Sequence, residues 1–196
     1  MTHFFAPERF KTDGFVLRCY FPGDGPALND ATLSSYDHLR PWMAWATQQQ
    51  TVEQAETSAR KFRANYLTNT DFTIAIWSPA EKHLWGGCGF HLRGGDFSTE
   101  VAEIGMWIRA SKAGRGLGTA ALSAMLGWGF SEWPWQRLSW HCDARNTASA
   151  RTAEKAGMHH EGTLRGDKPE VGEGRRETFI YGLTRADLAQ TSPTMP

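Results

Sequence analysis

The segment Glu103-Ile104-Gly105-Met106-Trp107-Ile108-Arg109-Ala110-Ser111-Lys112-Ala113-Gly114-Arg115-Gly116-Leu117-Gly118-Thr119 decides the fold. Its first half alternates. Ala102, Ile104, Met106 and Ile108 fall on one side, and Val101, Glu103, Gly105 and Trp107 on the other, so a strand is expected over about 100–109. Its second half, Gly114-Arg115-Gly116-Leu117-Gly118-Thr119, opens a helix. Glycines let successive N–H groups turn toward one point without a Cβ in the way. A helix start adds the positive end of its dipole, so the loop is a candidate phosphate cradle. A nucleotide P-loop would need a Lys after Gly118, and none is there. A dinucleotide fingerprint would need G-x-G-x-x-G near a first strand and an acidic residue ending the next one. Here the spacing is G-x-G-x-G, and it comes about 100 residues in. A pyrophosphate carrying a thiol-ended arm remains. On the loop alone, a tight turn with no ligand competes with that reading.

Outward from the loop, apolar residues Leu117, Ala121, Ala124, Met125 and Trp128 recur at helical spacing, which predicts a helix over about 116–131 closed by Pro134. Strands are expected at 14–21, 72–77, 84–92, 136–143, 158–165 and 175–184, and glycines with Asp96 make a turn at 94–96. A helix over about 27–39 must stop before Pro41. Thr51 and Gln54 form a capping-box pattern that opens another, with Ala55, Ala59, Phe62 and Tyr66 as its stripe. Asn146 is a good cap for a helix to Ala156, and Gly157 ends it. The order β-α-α-β-β-β-α-β-α-β-β predicts an α/β (mixed α+β) fold with a mixed, mostly antiparallel sheet of six to seven strands and helices on both faces. One domain is expected over 1–190, with a frayed tail at 191–196.

Composition excludes several classes. Lys+Arg and Asp+Glu both number 21, so bulk charge points to neither nucleic acid nor an anionic membrane as partner. Cys19, Cys88 and Cys142 are too far apart for a disulfide scaffold or a structural zinc site, so no metal is expected. Buried thiols, no leader-like start and no apolar run of ~20 residues suggest a cytoplasmic protein. The nine tryptophans suit binding clefts and cores equally.

With the loop in place, the chain resembles the GNAT-superfamily acyltransferases over nearly its whole length, and among them the RimJ/RimL type that acetylates N-terminal amines of ribosomal proteins. The pyrophosphate motif of that family is Gln/Arg-x-x-Gly-x-Gly/Ala, and Gly116 and Gly118 fill its glycine positions. Leu39-Arg40-Pro41-Trp42-Met43-Ala44-Trp45 and Asn146-Thr147-Ala148-Ser149-Ala150-Arg151, running into Glu154-Lys155-Ala156-Gly157, resemble the Rim group specifically. The resemblance implies acetyl-CoA as co-substrate. Its pantetheine arm would pair with the backbone of Met106, Trp107 and Ile108, its pyrophosphate would sit on Gly114, Arg115, Gly116, Leu117, Gly118 and Thr119, and Asn146 would bond the arm. Two positions depart. Ala113 stands where the motif has Gln or Arg, with Lys112 and Arg115 beside it, and Ala153 stands where some relatives place a Tyr that protonates the leaving thiolate. Ser149 is the Rim-type substitute, although a Ser in a first helical turn is also a common cap residue.

The chemistry requires a neutral amine. An α-amine has a pKa of about 7.7–8.0 and a Lys amine about 10.4, so a Lys costs roughly 3 kcal/mol more to deprotonate at neutral pH. That favours an α-amine acceptor, such as a protein N-terminus. Two residues compete as the base: Glu103, on the strand before the loop, and His141, five residues before Asn146. Glu103 is preferred; its competing role is an ion pair with an Arg at the sheet edge, and that of His141 is a structural hydrogen bond. Tyr36, Trp42 and Trp45 either wall the acceptor pocket or pack the core. Cys88 lacks a neighbouring base, so an acyl-cysteine is not expected. The rival acceptor is a small-molecule amine: an aminoacyl nucleotide, polyamine or antibiotic. A catalytically silent acyl-CoA-binding module is the rival from another class. A homodimer is common among similar proteins.

Overall fold

A computed structural model describes residues 4–93, 95–169 and 174–191 of the chain. Gly94 of the expected turn and residues 192–196 of the expected tail lie outside the described residues. The strands are β1 (Arg9–Lys11), β2 (Val16–Cys19), β3 (Phe72–Trp77), β4 (Leu84–His91), β5 (Val101–Ile108), β6 (Arg137–Asp143), β7 (His159–Pro169) and β8 (Arg175–Thr184). The α-helices are α1 (Gly25–Leu33), α2 (Tyr36–Leu39), α3 (Val52–Leu67), α4 (Leu117–Ser131), α5 (Thr147–Lys155) and α6 (Arg185–Thr191). The strands form one sheet in the order β1-β2-β3-β4-β5-β6-β8-β7, antiparallel except where β5 meets β6. The expected mixed sheet is present, with eight strands in place of six to seven. The extra one is β1, a three-residue edge strand too short to show a period.

Alternation sorts the apolar residues onto two faces. On one face Leu17, Cys19, Ile74, Ile76, Cys88, Phe90, Ala102, Ile104, Leu138, Trp140 and Cys142 pack under α4 and α5. On the other Val16, Ala75, Trp77 and half-buried Trp107 pack under α1 and α3. Trp128, Trp133 and Trp135 belong to the first core. Trp133 lies 4.9 Å from Phe72 at 81° and 4.9 Å from Phe90, and stacks on Trp135 at 5.8 Å. The tryptophans at 128–135 are therefore structural. Cys19, Cys88 and Cys142 are free and buried. Burial pushes the Cys19 thiol up to about 11 and raises the other two, so all three stay protonated at neutral pH.

Caps set the helix ends. Thr51 Oγ1 accepts from the Gln54 N–H and Gln54 Oε1 accepts from the Thr51 N–H, completing the capping box. The helix expected over 27–39 is broken in two at Ser34–Ser35. There Ser35, fully buried, accepts from the Ala110 N–H at 3.0 Å, a bond that a continuous helix would not present. Helix α6 was absent from the sequence reading. Its start is a small box, with Thr184 N–H and Oγ1 both donating to Asp187 Oδ2 at 2.7 Å. Among the described residues no helix is long and apolar enough to cross a membrane.

Gly127 and Gly129 both look like weak points of α4, but they differ. A Cβ at Gly129 would lie 2.8 Å from Leu138 Cδ1 and 3.1 Å from Phe90, whereas one at Gly127 meets nothing within 4 Å. Gly129 lets α4 seat closely on β4 and β6. We expect Gly129→Val to destabilise the fold by about 1–3 kcal/mol through overpacking. Gly127→Ala should stabilise it by roughly 0.5–1 kcal/mol through helix propensity. Thermal unfolding followed by circular dichroism checks both; equal Tm values for the two variants would contradict this account.

Candidate active site

The sheet splits between β5 and β6. Their parallel ladder pairs only Val101 with Arg137, Ala102 with Leu138 and Glu103 with Ser139. Beyond that point β5 stays paired to β4 as far as Ile108, and β6 stays paired to β8 as far as Asp143. The β6-facing edge of β5 over Met106, Trp107 and Ile108 therefore has no strand partner, and its peptide groups are open to a ligand that can pair like a strand.

The glycine loop closes the mouth of this split. Gly114 has φ +71° and Gly116, the N-cap of α4, has φ +83°. Non-glycine residues rarely adopt such angles. No side chain caps α4, so the first-turn amides of Leu117, Gly118 and Thr119 have no intrahelical acceptor. A Cβ at Gly114 or Gly116 would meet nothing within 4 Å, so the space in front of these amides is open. Arg115 is exposed beside it, and the Lys112 ammonium sits 4.3 Å from the Trp85 ring centre. Unpaired amides, open space and adjacent cations fit a diphosphate, and the free strand edge fits the amide-bearing arm of coenzyme A. Across the split, Asn146 Oδ1 accepts from the Ser149 N–H at 3.1 Å, which leaves the Asn146 amide NH2 to donate elsewhere. Ser149 Oγ accepts from Trp140 Nε1 at 3.1 Å.

The two candidate bases are neighbours. Glu103 and His141 project from the α1/α3 face of adjacent strands, and Glu103 Oε2 lies 3.2 Å from His141 Nδ1. Glu103 Oε1 accepts from Arg93 at 2.9 Å, so the expected arginine pair also exists. The Glu103 side chain is 11% exposed and that of His141 25%. His141 titrates below its ordinary value because burial penalises the imidazolium; the Glu103 charge opposes that shift without cancelling it. The contact is a charge pair by distance, and a small turn of either side chain would make it a hydrogen bond that keeps the ring proton on Nδ1 and leaves a lone pair on Nε2.

Aromatic residues stand on the same face. Trp45, 51% exposed, approaches half-buried Trp107 edge-on, with ring centres 6.0 Å apart. Tyr36 carries the Arg40 guanidinium over its ring at 6.0 Å, and Trp42 is half-buried; among the described residues neither contacts Trp107 ring to ring. Sequence reasoning missed His91 and Arg93. His91 is paired directly opposite Glu103 across the β4–β5 hairpin; counting outward from the expected turn at 94–96 would have set it opposite Thr99, because the register centres on Phe97.

A split sheet with uncapped helix-start amides at its mouth and a carboxylate beside an imidazole suits an acyl-CoA-dependent N-acyltransferase. The Acetyltransferase (GNAT) domain model matches residues 16–159, and the chain belongs to that family of acetyl-CoA-using N-acetyltransferases. The uncharacterized protein YkkB of Bacillus subtilis (strain 168) is 27% identical over 163 residues, 82% of this chain and 90% of that one. The fold is similar to that of RimL, a ribosomal L7/L12 alpha-N-protein acetyltransferase solved with coenzyme A, at TM-score 0.81 and 18% identity, covering 90% of this chain and 98% of that one. It is also similar to the ribosomal-protein-S5-alanine acetyltransferase from Vibrio fischeri, at TM-score 0.80 and 16% identity over 92% and 98% of the two chains. The microcin C7 self immunity acetyltransferase MccE, solved with acetyl-CoA and AMP, matches at TM-score 0.80 and 19% identity over the same shares, 92% and 98%. The fold is thus of the RimJ/RimL type.

If the diphosphate rests on these amides, Gly116→Val should weaken coenzyme A binding by tenfold or more. The substitution forces a β-branched residue into a left-handed angle, at about 1–2 kcal/mol, and puts methyl groups in front of the amides. Titration calorimetry with coenzyme A reads this directly, and an unchanged affinity would place the diphosphate elsewhere.

Proposed function

We propose that this protein transfers the acetyl group of acetyl-CoA to a primary amine, that the amine is the α-amine of a protein or peptide N-terminus, and that it works in the cytoplasm, where its three free thiols stay reduced. The observation that carries the reading is the Glu103–His141 couple at the point where β5 and β6 part. Glu103 keeps the imidazole oriented, and His141 Nε2 takes a proton from the amine as the amine nitrogen bonds to the thioester carbonyl carbon. The C–S bond breaks, and Ser149, on the α5 side of the split, supplies a hydrogen bond to the departing sulfur. Gly114 to Thr119 hold the diphosphate, Met106, Trp107 and Ile108 pair with the arm, Asn146 donates to it, and Tyr36, Trp42 and Trp45 wall the acceptor.

The acidity of the amine sets the acceptor class. Burial holds His141 below its ordinary value, so it is a weak base. Whichever base takes the proton, a Lys amine of pKa about 10.4 costs about 3 kcal/mol more to deprotonate than an α-amine at about 7.7–8.0. The small-molecule reading draws on exposed Trp45, a ring on which an aromatic amine could stack. RimL and MccE match this fold almost equally, at TM-scores 0.81 and 0.80, so the fold alone does not choose between acceptors.

Thiol release from acetyl-CoA in the presence of an amine and peptide panel tests the reading. His141→Ala should lower kcat/KM about 10²–10⁴-fold, and Glu103→Gln about tenfold. In the wild type the kcat/KM profile should rise through an acid limb below pH 6.5, where the imidazole loses its proton, and again near the pKa of the amine. Glu103→Gln removes the charge that holds the imidazole pKa up, so it should move the lower limb further down, and His141→Ala should abolish it. Full rate in both variants at saturating amine would rule the couple out, and absence of turnover with every amine would leave an acyl-CoA-binding module.

A further inference from the structure

The register of β4 on β5 puts Gly87 opposite Trp107, Gly89 opposite Gly105 and His91 opposite Glu103, all on the face that carries His141. Three of these six positions are glycine, and two rings lie flat on the backbone they leave bare. A Cβ at Gly87 would be 2.5 Å from Trp107 Nε1; a Cβ at Gly89 or at Gly105 would be 2.9 Å from His91 Nε2. The imidazole of His91 therefore floors the space beside Glu103, and a side chain at either glycine would lift it.

The ring is also locked in rotation. His91 Nδ1 lies 2.8 Å from Asp71 Oδ1, and the other Asp71 oxygen accepts from Thr73 Oγ1 at 2.9 Å. An ionised carboxylate only accepts, so it keeps the ring proton on Nδ1 and leaves Nε2 as an acceptor. Among the described residues Nε2 has no hydrogen-bond partner, and it is not one of the buried polar atoms that lack one. The face thus presents two imidazoles, one on each side of Glu103, each with Nδ1 near a carboxylate and that of His91 hydrogen-bonded to it. One serves the amine in the proposed reaction. The other has no role in it.

We infer that His91 is a specificity-determining residue whose Nε2 accepts a hydrogen bond from a second N–H of the acceptor, the peptide N–H that follows the α-amine. His91 Nε2 lies over Gly105, two residues past Glu103 on β5, and His141 lies two residues past Ser139, the β6 partner of Glu103, so the two imidazoles stand across about one strand spacing, ~4.8 Å and a little more where the strands part, comparable with the ~3.8 Å from one residue to the next in an acceptor peptide. The ligand class is therefore an N-terminal peptide, and an alkylamine without that N–H forgoes the contact. The inference rests on the peptide α-amine reading above.

Steady-state kinetics of the full chain with acetyl-CoA and two probes tests it: trialanine amide, and its analogue with an ester oxygen in place of the N–H of the second residue. The wild type should favour the amide by about fivefold to tenfold in kcat/KM, mainly through KM. His91→Phe keeps a flat ring but has no nitrogen, so it should lose that factor on the amide and treat the two probes alike. His91→Gln, with a carbonyl in place of the ring nitrogen, should restore part of the preference. Asp71→Asn can donate to Nδ1 and shift the ring proton to Nε2, so it should behave like His91→Phe with the ring still in place. The KM for acetyl-CoA should not move in any variant. If His91→Phe and Asp71→Asn both distinguish the probes as the wild type does, the inference is overturned while the acceptor reading stands. If the wild type acetylates neither probe but does acetylate small amines, the acceptor reading fails and takes this inference with it.

Discussion

Two parallel strands part midway along the sheet, and the site is built around that parting. Strand β5 is held along its length by β4 and β6 along its length by β8, while the ladder between β5 and β6 ends at Glu103 and Ser139. A buried sheet normally pairs every N–H and C=O, because an unmade hydrogen bond costs roughly 1–3 kcal/mol. Here the cores beneath α4 and α3 fix the outer neighbours, so the two inner edges cannot close without dragging packed aromatic rings with them. The gap is therefore a feature the fold holds open, and its bare peptide edges call for water or a ligand with amides of its own.

That gap also separates two kinds of chemistry. The glycine loop, Asn146 and Ser149 lie on the α4/α5 side, where dipoles and amides favour negative charge. Glu103, His141, His91 and the Trp45–Trp107 pair lie on the α1/α3 side. In the proposed reaction the proton leaves on one side and the thiolate on the other, with the carbonyl carbon between them. One link between the sides runs through the break between α1 and α2. Ser35 takes the Ala110 N–H, and Arg109 pairs with Asp30 at 2.8 Å, so the break between α1 and α2 is bolted to the turn that leads into the glycine loop. The proposed acceptor wall and the proposed diphosphate site thus share a support.

Local chemistry made much of this readable in advance. Alternation in β5 and β6 assigned Glu103 and His141 to the same side as Trp107 and Asp143, and the caps at Thr51 and Asn146 fell where Ser, Thr and Asn chemistry requires them. What could not be read was whatever depends on distant segments meeting. A parallel register carries no local signal, so Glu103 and His141 looked like rivals when they are a pair. Gly129 looked like a weak point of a helix because its reason, the Leu138 and Phe90 side chains, lies on two other strands. The break at Ser34–Ser35 answers to Ala110, some 75 residues away. Strand β1 and helix α6 are short enough that tertiary contacts outweigh pattern.

In the proposed reaction the couple at the split also bears on which amine is chosen. Burial lowers the affinity of His141 for a proton, and Glu103 restores only part of it. The balance leaves a neutral but feeble acceptor, so in the proposed reaction much of the burden of deprotonation rests on the acidity of the amine itself. Selection by pKa needs no contact beyond the reacting nitrogen. It separates an α-amine from a lysine by more than 2 units, about 3 kcal/mol, and leaves recognition of the residues that follow to the floor of glycines and flat rings beside it.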